Sequence, residues 1–157
     1  MIWGVIKTAL IAMVPIIELR GAIFFGAFTY NLPLWLAATA SIVGNLIPVP
    51  LIILFARAIL DFMKRSWKPI AKAANRLETR ALGKSEKLYK GVVLGLLVFV
   101  AIPLPGTGAW TGALIAAVLK IRMKVALPAI AAGVIIAGII MSTLIQVGVW
   151  TVTTINS

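Results

Sequence analysis

Glu18 and Arg20 stand in the run Pro15-Ile16-Ile17-Glu18-Leu19-Arg20 between two apolar stretches, and they are the only charges placed at membrane depth. An ionised residue at the centre of a spanning helix costs about 2.5–3.5 kcal/mol, so a chain that keeps two of them either pairs them or uses them. Pro15 disfavours helix in the residue before it. An unwound tip would bring both side chains to one side, where a structural ion pair is one reading. The other reading is functional. A carboxyl taken out of water can exchange a proton near neutrality unless a cation holds it ionised, which makes Glu18 the candidate proton-coupling group. Arg20 opens the next helical arm, where the dipole is already positive, and a cation there calls for a nearby anion. Gly106-Thr107-Gly108, farther along, leaves backbone N–H groups bare just before a helix start, a natural anion cradle. Arg20, Gly106, Thr107 and Gly108 are therefore the candidate substrate or anion-binding set. The remaining acids are Asp61, Glu78 and Glu86, and there are no histidines or cysteines. Disulfides, imidazole or thiolate metal sites and nucleophile–base pairs are excluded, no metal or cofactor is expected, and no enzymatic reaction is suggested.

The elements that must position these groups follow from composition. Of 157 residues, 62% are hydrophobic and 12% charged, with a mean hydropathy of +1.09. A soluble domain is about 45–50% apolar and about 25% charged. The solvent for most of this chain must be lipid. The net charge of +11 could suggest nucleic acid, but ten of the fifteen basic residues lie between Arg57 and Lys90, with Lys120, Arg122 and Lys124 in a second cluster. Basic residues in short loops mark the cytoplasmic face. Segments 57–90 and 120–124 are thus placed inside, and no nucleic-acid partner is expected.

Apolar stretches 1–30, 33–56, 91–119 and 125–150 make one membrane domain over 1–157. Stretches 33–56 and 125–150 exceed the about 20 residues needed to cross the hydrocarbon core. Stretch 91–119 is broken at Pro103-Leu104-Pro105-Gly106-Thr107-Gly108, and each arm, Val92–Ile102 and Ala109–Leu119, has 11 residues. Each arm is then about 16 Å long, half a bilayer. A hairpin that enters and returns keeps both basic clusters inside, whereas a single span would not. Residues 1–30, broken at 15–20, read the same way from the opposite face, with the N- and C-termini outside. A single kinked helix at each break is the alternative. The expected fold is an all-α integral membrane protein of two inverted repeats, each a re-entrant helical hairpin plus a transmembrane helix. Gly21-Ala22 and Gly108-Ala109 close the two breaks, and Pro33 and Pro128 fall near the starts of the spans. The N-terminal run has a single lysine and no convincing cleavage site before Glu18, so it reads as part of the fold.

The joining segment carries Met63, Trp67, Ile70, Ala74, Leu77 and Ala81 at helical spacing, with Lys and Arg mostly off that stripe. This is a basic amphipathic cytoplasmic helix, able to meet anionic lipid headgroups or simply to tether the halves. Ser41 and Asn45 in the first span, and Ser142 and Gln146 in the second, either line a pathway or form helix–helix hydrogen bonds. Pro48 and Pro50 should kink the first span. Little protein remains to shield broken helices from lipid, so a homo-oligomer, in the simplest case a dimer, is expected.

FVAIPLPGTGAWTGALIA at Phe99–Ala116, together with PIIELRGAI at Pro15–Ile23, resembles the small multidrug export protein family, a distant relative of the DedA/VTT-domain membrane proteins. The resemblance covers nearly the whole chain. It implies a multi-pass plasma-membrane protein with two facing re-entrant hairpins, and it points to Glu18 and Arg20 as the acidic and arginine residues essential in DedA-type proteins. The first box of the family often continues with proline where Phe24 stands here. The function so implied is DedA-like, proton-coupled export of an amphipathic or anionic small molecule through a midplane site. The alternatives are flipping or scrambling of a phosphate-headed lipid (polyprenyl phosphate or phospholipid) and a non-transport membrane assembly role.

Overall fold

The computed structural model describes residues 1–66, 86–104 and 106–155. Among them every regular element is helical: α1 (Ile2–Ala12), α2 (Glu18–Phe24) running into a π-helical turn (Phe25–Thr29), α3 (Leu34–Leu46), α4 (Val49–Ser66), α5 (Glu86–Ala101), α6 (Ala109–Val118) and α7 (Met123–Ile155). α1 and α2 pack on one another and on α3; α5 and α6 pack on one another and on α7. α4 lies against α6, and α3 lies against α7, so the two sets interlock.

Two helices are long and apolar enough to cross a bilayer, Leu34–Met63 and Met123–Val149. Only 22% of the most apolar stretch of the first, and 39% of the second, is buried within the protein. Trp35, Leu51, Phe55 and Ile139 are each more than 60% exposed. Apolar surface on this scale is stable only against lipid. The chain is an all-helical membrane protein.

The first span differs from the sequence-based boundaries. It is interrupted at Ile47-Pro48, where proline supplies no N–H, and it then runs past Arg57 to Ser66 rather than ending at residue 56. Arg57 marks the level at which polar chemistry begins, but nothing in its side chain stops a helix. Its guanidinium instead donates to the Ile121 carbonyl in the turn after α6, tying α4 to that turn. Similarly, α5 begins at Glu86, inside the segment assigned to the linker, and α7 outruns 125–150 at both ends with Pro128 in its second turn. From Trp67 onward, the expected amphipathic linker helix lies outside the described residues.

Two glycines allow the closest helix approaches. A Cβ on Gly44 of α3 would strike the backbone of Ala9 in α1; one on Gly133 of α7 would lie 2.8 Å from the Leu97 carbonyl and the Val100 Cβ in α5. Each is the eleventh residue of its helix. Each broken pair also ends in a left-handed residue, Asn31 (φ 49°) and Lys120 (φ 50°), followed by a buried aliphatic, Leu32 or Ile121. After α6 this is a Schellman closure, with the Ile121 N–H on Ala116 O and the Lys120 N–H on Ala117 O. The core gathers Leu19 and Ile23 with Val49, Ile53, Leu96, Val100, Ile121, Ile130 and Val134, so it joins both broken pairs to both spans.

Candidate functional site

The break at 13–17 and the one that ends at Thr107-Gly108 meet tip to tip. In the first, the chain leaves α1 at Met13 and re-enters helix at Glu18, so Glu18 and Arg20 lie in the first turn of α2 rather than in an extended tip. Glu18 itself takes φ 49°, a left-handed conformation costly for a branched-chain-free but bulky side chain and common where a site is held under strain. This twist directs each charge across the interface. Glu18 Oε1 accepts the Trp110 N–H at 3.4 Å, one of the four donors left unpaired at the start of a helix. Arg20 donates through Nη2 to the Thr107 carbonyl and to Thr107 Oγ1, both at 3.1 Å. Glu18 and Arg20 direct their hydrogen bonds to the opposite break rather than to each other, although the two charges stay close enough to attract.

Thr107 is the hub of the second tip. Its hydroxyl accepts from Arg20 and from the Leu104 N–H (3.1 Å), and its single proton is shared between Ile102 O (2.6 Å) and Leu104 O (2.8 Å). Both lone pairs and the proton are thus committed. Gly108 is the residue before α6, in extended backbone (φ −124°, ψ −168°) that any residue could adopt. Its lack of a side chain matters for another reason: a Cβ there would overlap the Glu18 carboxylate. Of the N–H groups expected to form an anion cradle, that of Thr107 bonds to Leu104 O, and the chain's own anion instead meets the Trp110 N–H two residues beyond Gly108. A carboxylate at a helix N-terminus is favourable by about 0.3–1 kcal/mol, and by up to about 2 where partly buried. In return, Trp110 Nε1–H donates to Met13 O at 3.1 Å, satisfying a carbonyl at the end of α1.

Two spaces adjoin these contacts. Glu18, Leu19, Arg20, Asn45, Val100, Thr107, Gly108, Ala109, Val134 and Ala137 line a chamber of about 10 Å³, measured as room for the centre of a water molecule. On the other side, Pro15, Ile16, Ile17, Glu18, Arg20, Gly21, Gly106 and Thr111 line a groove of about 520 Å³ on the same measure. Glu18 and Arg20 line both.

Of the candidate residues, Glu18, Arg20, Gly106, Thr107 and Gly108 come together at this junction, and Asn45 reaches it from α3. Ser41 is buried but returns its proton to Ala37 O in its own helix at 2.7 Å. Ser142 and Gln146 line neither space. Trp110 and Thr111 were not legible as site residues, although a tryptophan with a buried-capable N–H directly after Gly-Thr-Gly-Ala is a signal in retrospect. Among the described residues, no three acids gather to hold a metal ion.

Broken helices meeting at a buried carboxylate and a half-buried guanidinium, inside an apolar helical frame, define a membrane protein with a polar site. The family model described as "Putative small multi-drug export protein" matches residues 18–140, most of the chain, beginning at Glu18 and containing Arg20 and the whole second break. The chain belongs to that family. No curated protein and no solved structure matches it.

Proposed function

We propose that this protein exports a small amphipathic molecule across the plasma membrane, coupled to proton exchange at Glu18. In this reading α1–α2 and α5–α6 are re-entrant hairpins, each followed by its span, in two inverted repeats within one membrane domain. Support comes from features that recur in both halves: the paired glycines Gly44 and Gly133, the paired left-handed closures, and Arg20 meeting Thr107 when Gly21-Ala22 is set against Gly108-Ala109. Residues 57–90 and 120–124 face the cytoplasm, the termini face outward, and a homodimer covers the broken helices.

The observation that carries the proposal is the junction itself: one carboxylate and one guanidinium, each bonded to the opposing tip, line both a water-sized space and a larger groove. Ionised Glu18 caps α6 and holds the tips together. Once protonated, it is a weaker acceptor and no longer complements the positive end of the α6 dipole, so the closed arrangement loses population to one in which groove and chamber connect. Arg20, released from Thr107, then offers its guanidinium to an anionic group on the substrate. A second reading, passage of a phosphate-headed lipid, is favoured by the volume of the groove, about 520 Å³, and by Ile16, an apolar lining residue that is 92% exposed.

The test uses proteoliposomes containing a pH-sensitive dye. Addition of anilinonaphthalene sulfonate, an amphipathic anion, or of ethidium, an amphipathic cation, should drive proton movement with the wild type and not with Glu18→Gln. Transfer of a fluorescent phospholipid without a gradient would support the lipid reading. Equal proton movement in Glu18→Gln would end the proton-coupling proposal.

A further inference from the structure

We infer that Asn45 binds one water molecule inside the chamber and through it holds Glu18, so that this water, rather than bulk solvent, is the immediate proton partner of the carboxyl. Asn45 is then a positioning residue. Four observations lead here. Asn45 is 1% exposed, and its Oδ1 has no hydrogen-bond partner. A buried carbonyl left unpaired costs about 1–3 kcal/mol, and native proteins ordinarily satisfy such groups with protein or water. The side chain lines a chamber of about 10 Å³, which is about one water by this measure. Lastly, the polar groups in the wall are Glu18, Arg20, Thr107 and the backbone at Gly108, with Leu19, Val100, Ala109, Val134 and Ala137 as its apolar lining.

The chemistry of these groups fixes the water's orientation. An amide oxygen only accepts, so it takes one O–H. A carboxylate only accepts, so it takes the other. The guanidinium only donates, and it faces a lone pair. One water satisfies all three. A monovalent cation such as sodium is disfavoured, because the Arg20 cation shares the chamber wall and the oxygens available are few. This inference rests on the reading that Glu18 titrates, but its own test can fail separately.

The experiment labels Glu18 with dicyclohexylcarbodiimide, which attacks protonated buried carboxyls, in protein held in nanodiscs across a pH series, with quantification by mass spectrometry. A donated O–H from the water favours the ionised carboxylate. Asn45→Leu, near in size but without the acceptor, should extend labelling to higher pH by about one unit. Asn45→Ser keeps an acceptor oxygen and room for the water, and should stay near the wild type. An unshifted midpoint in folded Asn45→Leu overturns the inference, and so does a wild-type midpoint that moves with sodium concentration. The wild type alone supplies a second measurement should Asn45→Leu fail to fold. X-ray radiolysis in ¹⁸O water oxidises side chains beside bound water, and Leu19 and Val100, both buried, should acquire the label. Their absence from the oxidised set overturns the inference. Absence of carbodiimide labelling at every pH would instead remove the proton reading and leave the radiolysis result to decide the water.

Discussion

Gly108→Ala isolates the contact on which the closed site depends. The backbone at Gly108 (φ −124°, ψ −168°) accommodates alanine without strain, so the added methyl acts only through what it strikes, the Glu18 carboxylate. Glu18 must then leave the N-terminus of α6. A hydrogen bond to a charged group contributes about 1.5–3 kcal/mol. The 3.4 Å separation from the Trp110 N–H argues for the low end. Alanine also stiffens the unfolded chain, which returns about 0.4–1 kcal/mol. The net expectation is a loss of about 0.5–1 kcal/mol, read from tryptophan fluorescence during denaturant or thermal unfolding in nanodiscs. Shortening the acid relieves the clash: Glu18→Asp draws the carboxylate back by about 1.5 Å, one carbon–carbon bond. In that background Gly108→Ala should cost at least about 1 kcal/mol less than it does alone, a coupling typical of residues in contact. Strict additivity of the two changes would refute the placement of Glu18 against Gly108.

Other substitutions probe the same frame. Thr107→Val removes the hydroxyl that serves Arg20, Leu104 and Ile102 and should destabilise by about 1–3 kcal/mol, whereas Thr107→Ser should be nearly silent in the same unfolding assay. Trp110→Phe keeps the ring packing but strips the donor from Met13 O; a loss of about 1 kcal/mol is expected, and none would mean that the bond is not formed. Gly44→Ala should destabilise more than Gly95→Ala, since the first forces α3 away from the Ala9 backbone and the second points into open space, where alanine should stabilise the helix by about 0.5–1 kcal/mol. Arg57→Met should loosen the turn at Ile121, seen as faster amide exchange at Lys120 and Ile121.

The two broken stretches and their junction were readable from Pro15, from Pro103-Leu104-Pro105-Gly106 and from the isolated charges, because proline and glycine interrupt helices locally and an ion in lipid needs a reason. The conformation of Glu18 was not readable in that way. The charges suggested an extended tip through Arg20, yet an acid in the first turn of a helix is itself a start signal, and the structure follows that rule from Glu18 onward. Partner choice was also hidden. That Glu18 caps α6 instead of pairing with Arg20 depends on Gly108 being bare at one point in space, which spacing along the chain does not encode. Gly44 and Gly133 were invisible for the same reason, since a glycine in an apolar run declares its role only when the opposing backbone is known. Arg57 misled the reading of a boundary, because the edge of the lipid and the end of a helix are set by different physics.

Single cysteines decide the central claim, that the two broken helical pairs enter the bilayer from opposite faces and meet inside it. The chain has no native cysteine, so Lys90→Cys, Lys120→Cys and Asn31→Cys each carry one reactive thiol, and a membrane-impermeant maleimide can be applied to either side of oriented vesicles. Positions 90 and 120 should react from the same side, and position 31 from the other. Labelling of 90 and 120 from opposite sides would make α5 and α6 one crossing helix and would contradict the account.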